Sequence, residues 1–347
     1  GLSAYGVYWP LLFALTAHAQ QPTEGCTYFL PKTIIQFHIL VEKTVFKPGE
    51  LAAYSGKYLK MPDVPTEPAT SYRLISTEMK SVGIPDTAQQ HVAVMDKKHS
   101  ILSLSRDDNG ILLAVNAEGT KAEPAHPFVA APKTAPLNPH DYMNADILAA
   151  GSLPKMAELI ASEIYEIRDS RNQLTRGEAD NMPKDGEQLR IMMANLDKQE
   201  RALMQMFTGT TERDTTETTL TFIPTKEVNK QVLFRFSKRF GLVDNDDLAG
   251  RPFYISVQDL HYVPTLNLPD DGKKSKDKSG ICVNLPGKIR LSLYDGLQLF
   301  AKTECYATQF GRTEELSGEL FGKKMTTRIV LDPVTGNARK LEVVPIQ

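Results

Sequence analysis

Sustained helical periodicity falls in residues 152–207, and a period-two alternation governs long stretches on either side of it. Helices and strands bury side chains at different repeats, so this arrangement implies sheets before and after one helical block. In the block, Met156, Leu159, Ile160, Ile164, Ile167 and Leu174 recur at helical spacing. They follow Ser152, an N-cap residue, and Pro154 in the first turn. Gly177 stops that run. Asp185, with Gln188 three residues on, opens a second helix as in a capping box, and Leu189, Met192, Met193, Leu196 and Leu203 form its apolar face. Each helix of about 22 residues is roughly 33 Å long. With a loop at 177–184, the pair predicts a long antiparallel αα-hairpin.

Residues 33–46 alternate, are rich in β-branched side chains and read as a long strand, ended by Lys47-Pro48-Gly49-Glu50. A short helix is expected over 51–59 and strands over 72–82 and 90–96. Asn109-Gly110 between two apolar runs is a strong hairpin signal, because glycine supplies the positive φ of a tight turn. Five prolines (124, 127, 132, 136 and 139) make residues 122–151 a Pro/Ala-rich linker. Strand patterns return after Gly209.

The two β regions resemble each other. Tyr54-Ser55, Tyr58 and Tyr72 align with Phe236-Ser237, Phe240 and Tyr254 at one constant spacing, each set suggesting a strand, a short amphipathic helix and another strand. Both regions end on an Asp-to-Gly turn, Asp107 to Gly110 and Asp332 to Gly336. The expected fold class is therefore α+β: two similar β-rich units (27–121 and 213–347), a possible internal duplication, joined by the helical hairpin 152–207.

Residues 5–17 form a short apolar run ahead of Ala17-His18-Ala19, the pattern of a secretory signal peptide over 1–19. No Met, Lys or Arg precedes it, and a buried N-terminal segment is the alternative. The run is too short to span a bilayer, so no transmembrane span is expected in the mature chain. Export to the periplasm or outer membrane would permit one disulfide among Cys26, Cys282 and Cys305. Cys282 and Cys305 lie in strand-like stretches of one region and are the pair to consider, against unpaired thiols. A net charge of -2 argues against a nucleic-acid partner.

Candidate chemistry is sparse. The seven histidines form neither H-x-H nor H-E-x-x-H, and Cys-x-x-Cys, P-loop, dinucleotide and G-x-S-x-G signatures do not occur. No catalytic residue and no cofactor is assigned. Asp244, Asp246 and Asp247 are weak metal candidates: clustered carboxylates suit calcium, but Leu248 and the missing closing glutamate depart from an EF-hand loop. Glu163, Glu166 and Glu178 fall mostly off the apolar stripe, as on a wet helix face. Met182-Pro183 is expected at the exposed tip of the hairpin.

Several stretches carry a family resemblance. They include Tyr28-Phe-Leu-Pro-Lys, Val41-Glu-Lys-Thr with Lys47-Pro48-Gly49, residues 161–171, and Gly177-Glu178-Ala179. They continue with Leu196-Asp-Lys-Gln-Glu-Arg-Ala-Leu, Phe207-Thr-Gly, Leu233-Phe-Arg-Phe-Ser and Gln309-Phe-Gly-Arg. In these the chain resembles the Bacteroidetes-type exported proteins of domain-of-unknown-function family 4831. The resemblance implies export and no particular activity. The expected function is a non-catalytic binding or scaffolding module of the envelope, with an unknown envelope protein or glycan as partner. The alternative is a hydrolase acting on a surface glycan or peptide in a cleft between the two β-rich units.

Overall fold

The computed structural model describes residues 25–266, 268 and 280–346. The signal-peptide segment 1–19 and the lysine-rich stretch after Gly272 lie outside the described residues. In chain order the elements begin with β1 (Gly25–Lys47), α1 (Ser55–Leu59), β2 (Ala69–Val94), β3 (Leu104–Arg106) and β4 (Leu112–Val115). Helices α2 (Ala145–Leu148), α3 (Leu153–Arg176) and α4 (Gly186–Thr208) follow. The chain then forms β5 (Thr210–Phe222), β6 (Val228–Ser237), β7 (Gly241–Val243) and β8 (Arg251–Asp259). It finishes with β9 (Cys282–Asp295), β10 (Gln298–Glu315), β11 (Met325–Leu331) and β12 (Ala338–Pro345).

Strand makes up 45% of the structure and helix 22%, so the fold is mainly β and the α+β expectation is corrected. The picture of two β-rich units joined by a long αα-hairpin fails with it. Three sheets have the orders β2-β1-β5, β10-β9-β8-β6-β7 and β12-β11-β4-β3. Strand β1 pairs with β5 from beyond the helices, and β4 pairs with β11. Strands from both sides of the helical block thus share ladders, and there is no joint for a hairpin to bridge. Local periodicity reports whether a segment is strand or helix; it carries no information about which distant strand completes the ladder.

The duplicated motif is also corrected. Residues 52–59 are helical, but Phe236-Ser237 ends β6 and the chain turns at once. The Ser237 Oγ accepts hydrogen bonds from the Arg239 and Phe240 amides, a serine turn in place of a second amphipathic helix. The two Asp-to-Gly turns do close hairpins, β3–β4 and β11–β12, which lie side by side in the third sheet. In both, the aspartate Oδ1 caps two backbone amides.

Among the described residues, three apolar clusters hold the molecule. One lies between the first two sheets, where Ile35, Phe37, Ile39 and Val41 of β1 meet Phe234, Phe253, Ile255, Leu291 and Leu293. The near end of β1, with Tyr28 and Leu30, joins Leu112, Val115, Val283, Phe321 and Ile329 under the third sheet. The helices form the last cluster: Ile160, Ile164 and Ile167 pack with Leu203, Met206 and Phe207, and with Leu51, Leu59, Met143 and Ile147. The helices thus cover the 51–61 and 139–148 segments, and Leu51 N donates to the Met206 carbonyl.

Candidate functional site

A catalytic site needs titratable groups that converge and remain accessible. One group of titratable side chains comprises Tyr28, His91, Cys282 and Glu315. The Tyr28 hydroxyl accepts a 2.9 Å hydrogen bond from Cys282 N, and its ring lies 5.6 Å from that of His91. Burial pushes the Tyr28 hydroxyl well above its ordinary range and the Cys282 thiol up to about 11. Burial also pushes the His91 imidazole down. A thiol held protonated is a poor nucleophile. All three cysteines are free. Cys282 sits opposite Glu315, whereas Cys305 sits opposite Ile289, roughly 20 Å further along β9 at ~3.3 Å per residue. The two thiols are too far apart to bond without rearrangement.

The acidic turn after β7 is built by its own backbone. Asp247 N donates to the Asp244 carbonyl, Gly250 N to the Asp247 carbonyl, and Asp247 Oδ1 caps Ala249 N. The Arg235 guanidinium braces it through the carbonyls of Asn245 (2.7 Å) and Gly250 (3.0 Å). Asp244, Asp246 and Asp247 are exposed. Among the described residues no group of three or more His, Cys, Asp or Glu side chains is placed to hold a metal ion.

On the helices, Arg168 pairs with Glu200 at 2.7 Å, and Arg171 pairs with Glu200 and with Asp197. These pairs tie α3 to α4. Glu163 stands beside Glu166, and its carboxyl is raised by partial burial and then by that neighbour. Glu178 lies past the helix end, where its amide donates to the Gln173 carbonyl. Met182 is partly exposed in the loop between the helices.

A groove of about 480 Å³ opens where the first two sheets part. Its walls are Thr218 and Leu220 of β5, Leu233 and Phe234 of β6, Leu242 and Val243 of β7, and Asp244 and Asn245 of the acidic turn. Strand β5 is an edge strand, and β7 covers β6 only at 235–237. Leu220, Leu233, Leu242 and Val243 remain half-buried. The groove therefore presents an apolar floor with a carboxylate at its mouth. It is built entirely from residues after the helices, not from a cleft between an N-terminal and a C-terminal unit. Of the candidates read from the sequence, it takes in Asp244; Asp246 and Asp247 lie in the same turn. The strand patterns after Gly209 single out neither Leu220 nor Leu233, and an opening depends on the neighbours each strand lacks.

A family model described as a domain of unknown function, DUF4831, matches residues 24–339. The chain belongs to this family. The match begins just before β1 and ends within β12, so the family's signature covers all three sheets and the helices together. No curated protein and no solved structure matches the chain. Among the described residues no helix is long and apolar enough to cross a membrane.

Proposed function

We propose that this DUF4831 protein is an exported, non-catalytic binding or scaffolding module of the cell envelope, periplasmic or outer-membrane-associated, whose ligand occupies the groove beside β5. The observation that carries the reading is the groove's composition. Four half-buried apolar side chains face an opening whose only ionisable wall residue, among the described residues, is Asp244. Binding sites are mostly apolar with a few polar groups. Glycoside hydrolysis would call for paired carboxylates, and acyl transfer for a nucleophile beside a base. Export is supported by the apolar run at 5–17 ahead of Ala17-His18-Ala19.

Photo-cross-linking in native envelopes tests this. A photoreactive residue at position 242 should give a discrete adduct with a macromolecule, and one at the exposed position 297 should not. Hydrolysis of envelope glycan or peptide by the purified protein, or equal cross-linking from both positions, would contradict the reading.

A further inference from the structure

The groove has a second property beyond its apolar floor: one wall is an unpaired sheet edge. In an antiparallel ladder every second residue turns its N–H and C=O away from the partner strand. Strand β5 spends its inner set on β1, over Ile35↔Phe222 to Lys47↔Thr210. Among the described residues no loop backbone hydrogen-bonds to its outer set. An extended peptide laid along β5 would satisfy these groups and at the same time project alternate side chains into the groove.

The charges beside this edge select the peptide. Near the start of β5 stand Glu212, Arg213 and Asp214, midway Glu217, which His38 approaches at 3.5 Å, and across the groove Asp244, Asp246 and Asp247, so carboxylates outnumber cations along this edge. Arg235, the nearby cation of β6, is turned into the Asn245 and Gly250 carbonyls. The molecule already shows the preferred complement. The Pro-rich segment brings Lys133 onto β5, where its ammonium pairs with both Glu212 and Asp214. That segment engages β5 through the Lys133 side chain, and Pro132 and Pro136 within it have no amide to donate to a ladder. Residues 216–222 beyond it keep their outer edge open.

Resting on the binding reading above, we infer that the ligand is an extended polypeptide segment of a partner protein in which apolar residues alternate with lysine or arginine, added as a strand to β5 at residues 216–222. The apolar residues pack on Leu220, Leu233, Leu242 and Val243. The cations on the opposite face meet Glu217, and those at the ends meet the Asp244–Asp247 turn.

Titration with a nine-residue peptide alternating lysine and valine tests the inference. A glutamate–valine peptide and a lysine–valine peptide N-methylated at alternate amides serve as comparisons. Both comparisons should bind at least tenfold more weakly. Asp244→Lys combined with Asp246→Lys, two exposed changes, should weaken the lysine–valine peptide at least tenfold and leave the melting temperature in place. Equal affinity for all three peptides, or indifference to the double reversal, overturns the inference. A discrete adduct from position 242 in native envelopes alongside that result would preserve the binding reading and reject only this class of ligand.

Discussion

The two sides of the sandwich end differently. On one side β1 and β10 cross, and the crossing is locked. Thr33 N donates to Thr308 Oγ1, Thr308 N donates to Thr33 Oγ1 at 3.1 Å, and Gln309 Nε2 donates to the Thr33 carbonyl at 2.6 Å. The β9–β10 register shifts between Ala307 and Arg312, and Gly287 and Gly311 let the two backbones touch there. On the other side β5 and β6 stop short of each other, and Leu220, Leu233 and Leu242 are left half in water. A chain able to seal one side with paired hydroxyls and glycines leaves the other unsealed. The contrast separates a side that holds the fold from a side available to a ligand.

The comparison breaks first where β10 lies close against β9, at the register shift beside the crossing. A Cβ on Gly311 would overlap the Leu285 carbonyl oxygen, which is backbone and cannot swing aside. Gly311→Ala should therefore cost about 3 kcal/mol, read by denaturant unfolding. A loss below ~1 kcal/mol would show that β9 and β10 are not in close contact at this register shift. Next in size, Tyr28→Phe leaves the buried Cys282 amide without its acceptor and should cost ~1–3 kcal/mol. Thr33→Val should fall in the same range, as Thr33 is fully buried and its hydroxyl is the acceptor for Thr308 N. The open side should behave otherwise. Leu242→Ser, at a half-exposed site, is expected to cost roughly 1 kcal/mol or less while removing ligand binding.

The smallest effect lies off both sides, on α3. Glu163 has a folded pKa raised by burial and by Glu166, so the folded state holds its proton more tightly than the unfolded chain. Its contribution is favourable below the unfolded value near ~4.3 and is lost as pH rises through the folded value. Glu163→Gln removes that loss. It should raise the melting temperature slightly at pH 7, by less than about 0.5 kcal/mol in stability, with no advantage at pH 4. A lower melting temperature at pH 7 would mean the carboxylate has a favourable partner.

What could be read in the chain and what could not divide along physical lines. Ser152 and Asp185 do cap α3 and α4, each accepting a backbone amide three residues on, and Gly177 ends α3 at φ 74°. These are local devices and leave local signatures. The Asn109-Gly110 turn is equally legible, with Gly110 at φ 87°. Pairing was not legible: nothing in residues 210–222 says that they lie against β1, or in 325–331 that they lie against β4. The supposed helix after Phe236 failed because a serine turn and a short strand share its apolar spacing. The groove was invisible for a related reason, since an opening is defined by strands that do not meet.

Hydrogen exchange with and without the lysine–valine peptide measures the central claim, that ligand binds on the open side. Without peptide, the amides of Tyr28, Leu30 and residues 112–115 should exchange only through global unfolding, and the outward-facing amides of 216–222, which β1 does not pair, far faster. With peptide, protection should rise at 216–222 and 242–245 and stay unchanged at the β1–β10 crossing and on the exposed face of α4 around Ile191 and Met192. Protection that appears on α4, or nowhere on β5, would contradict the account.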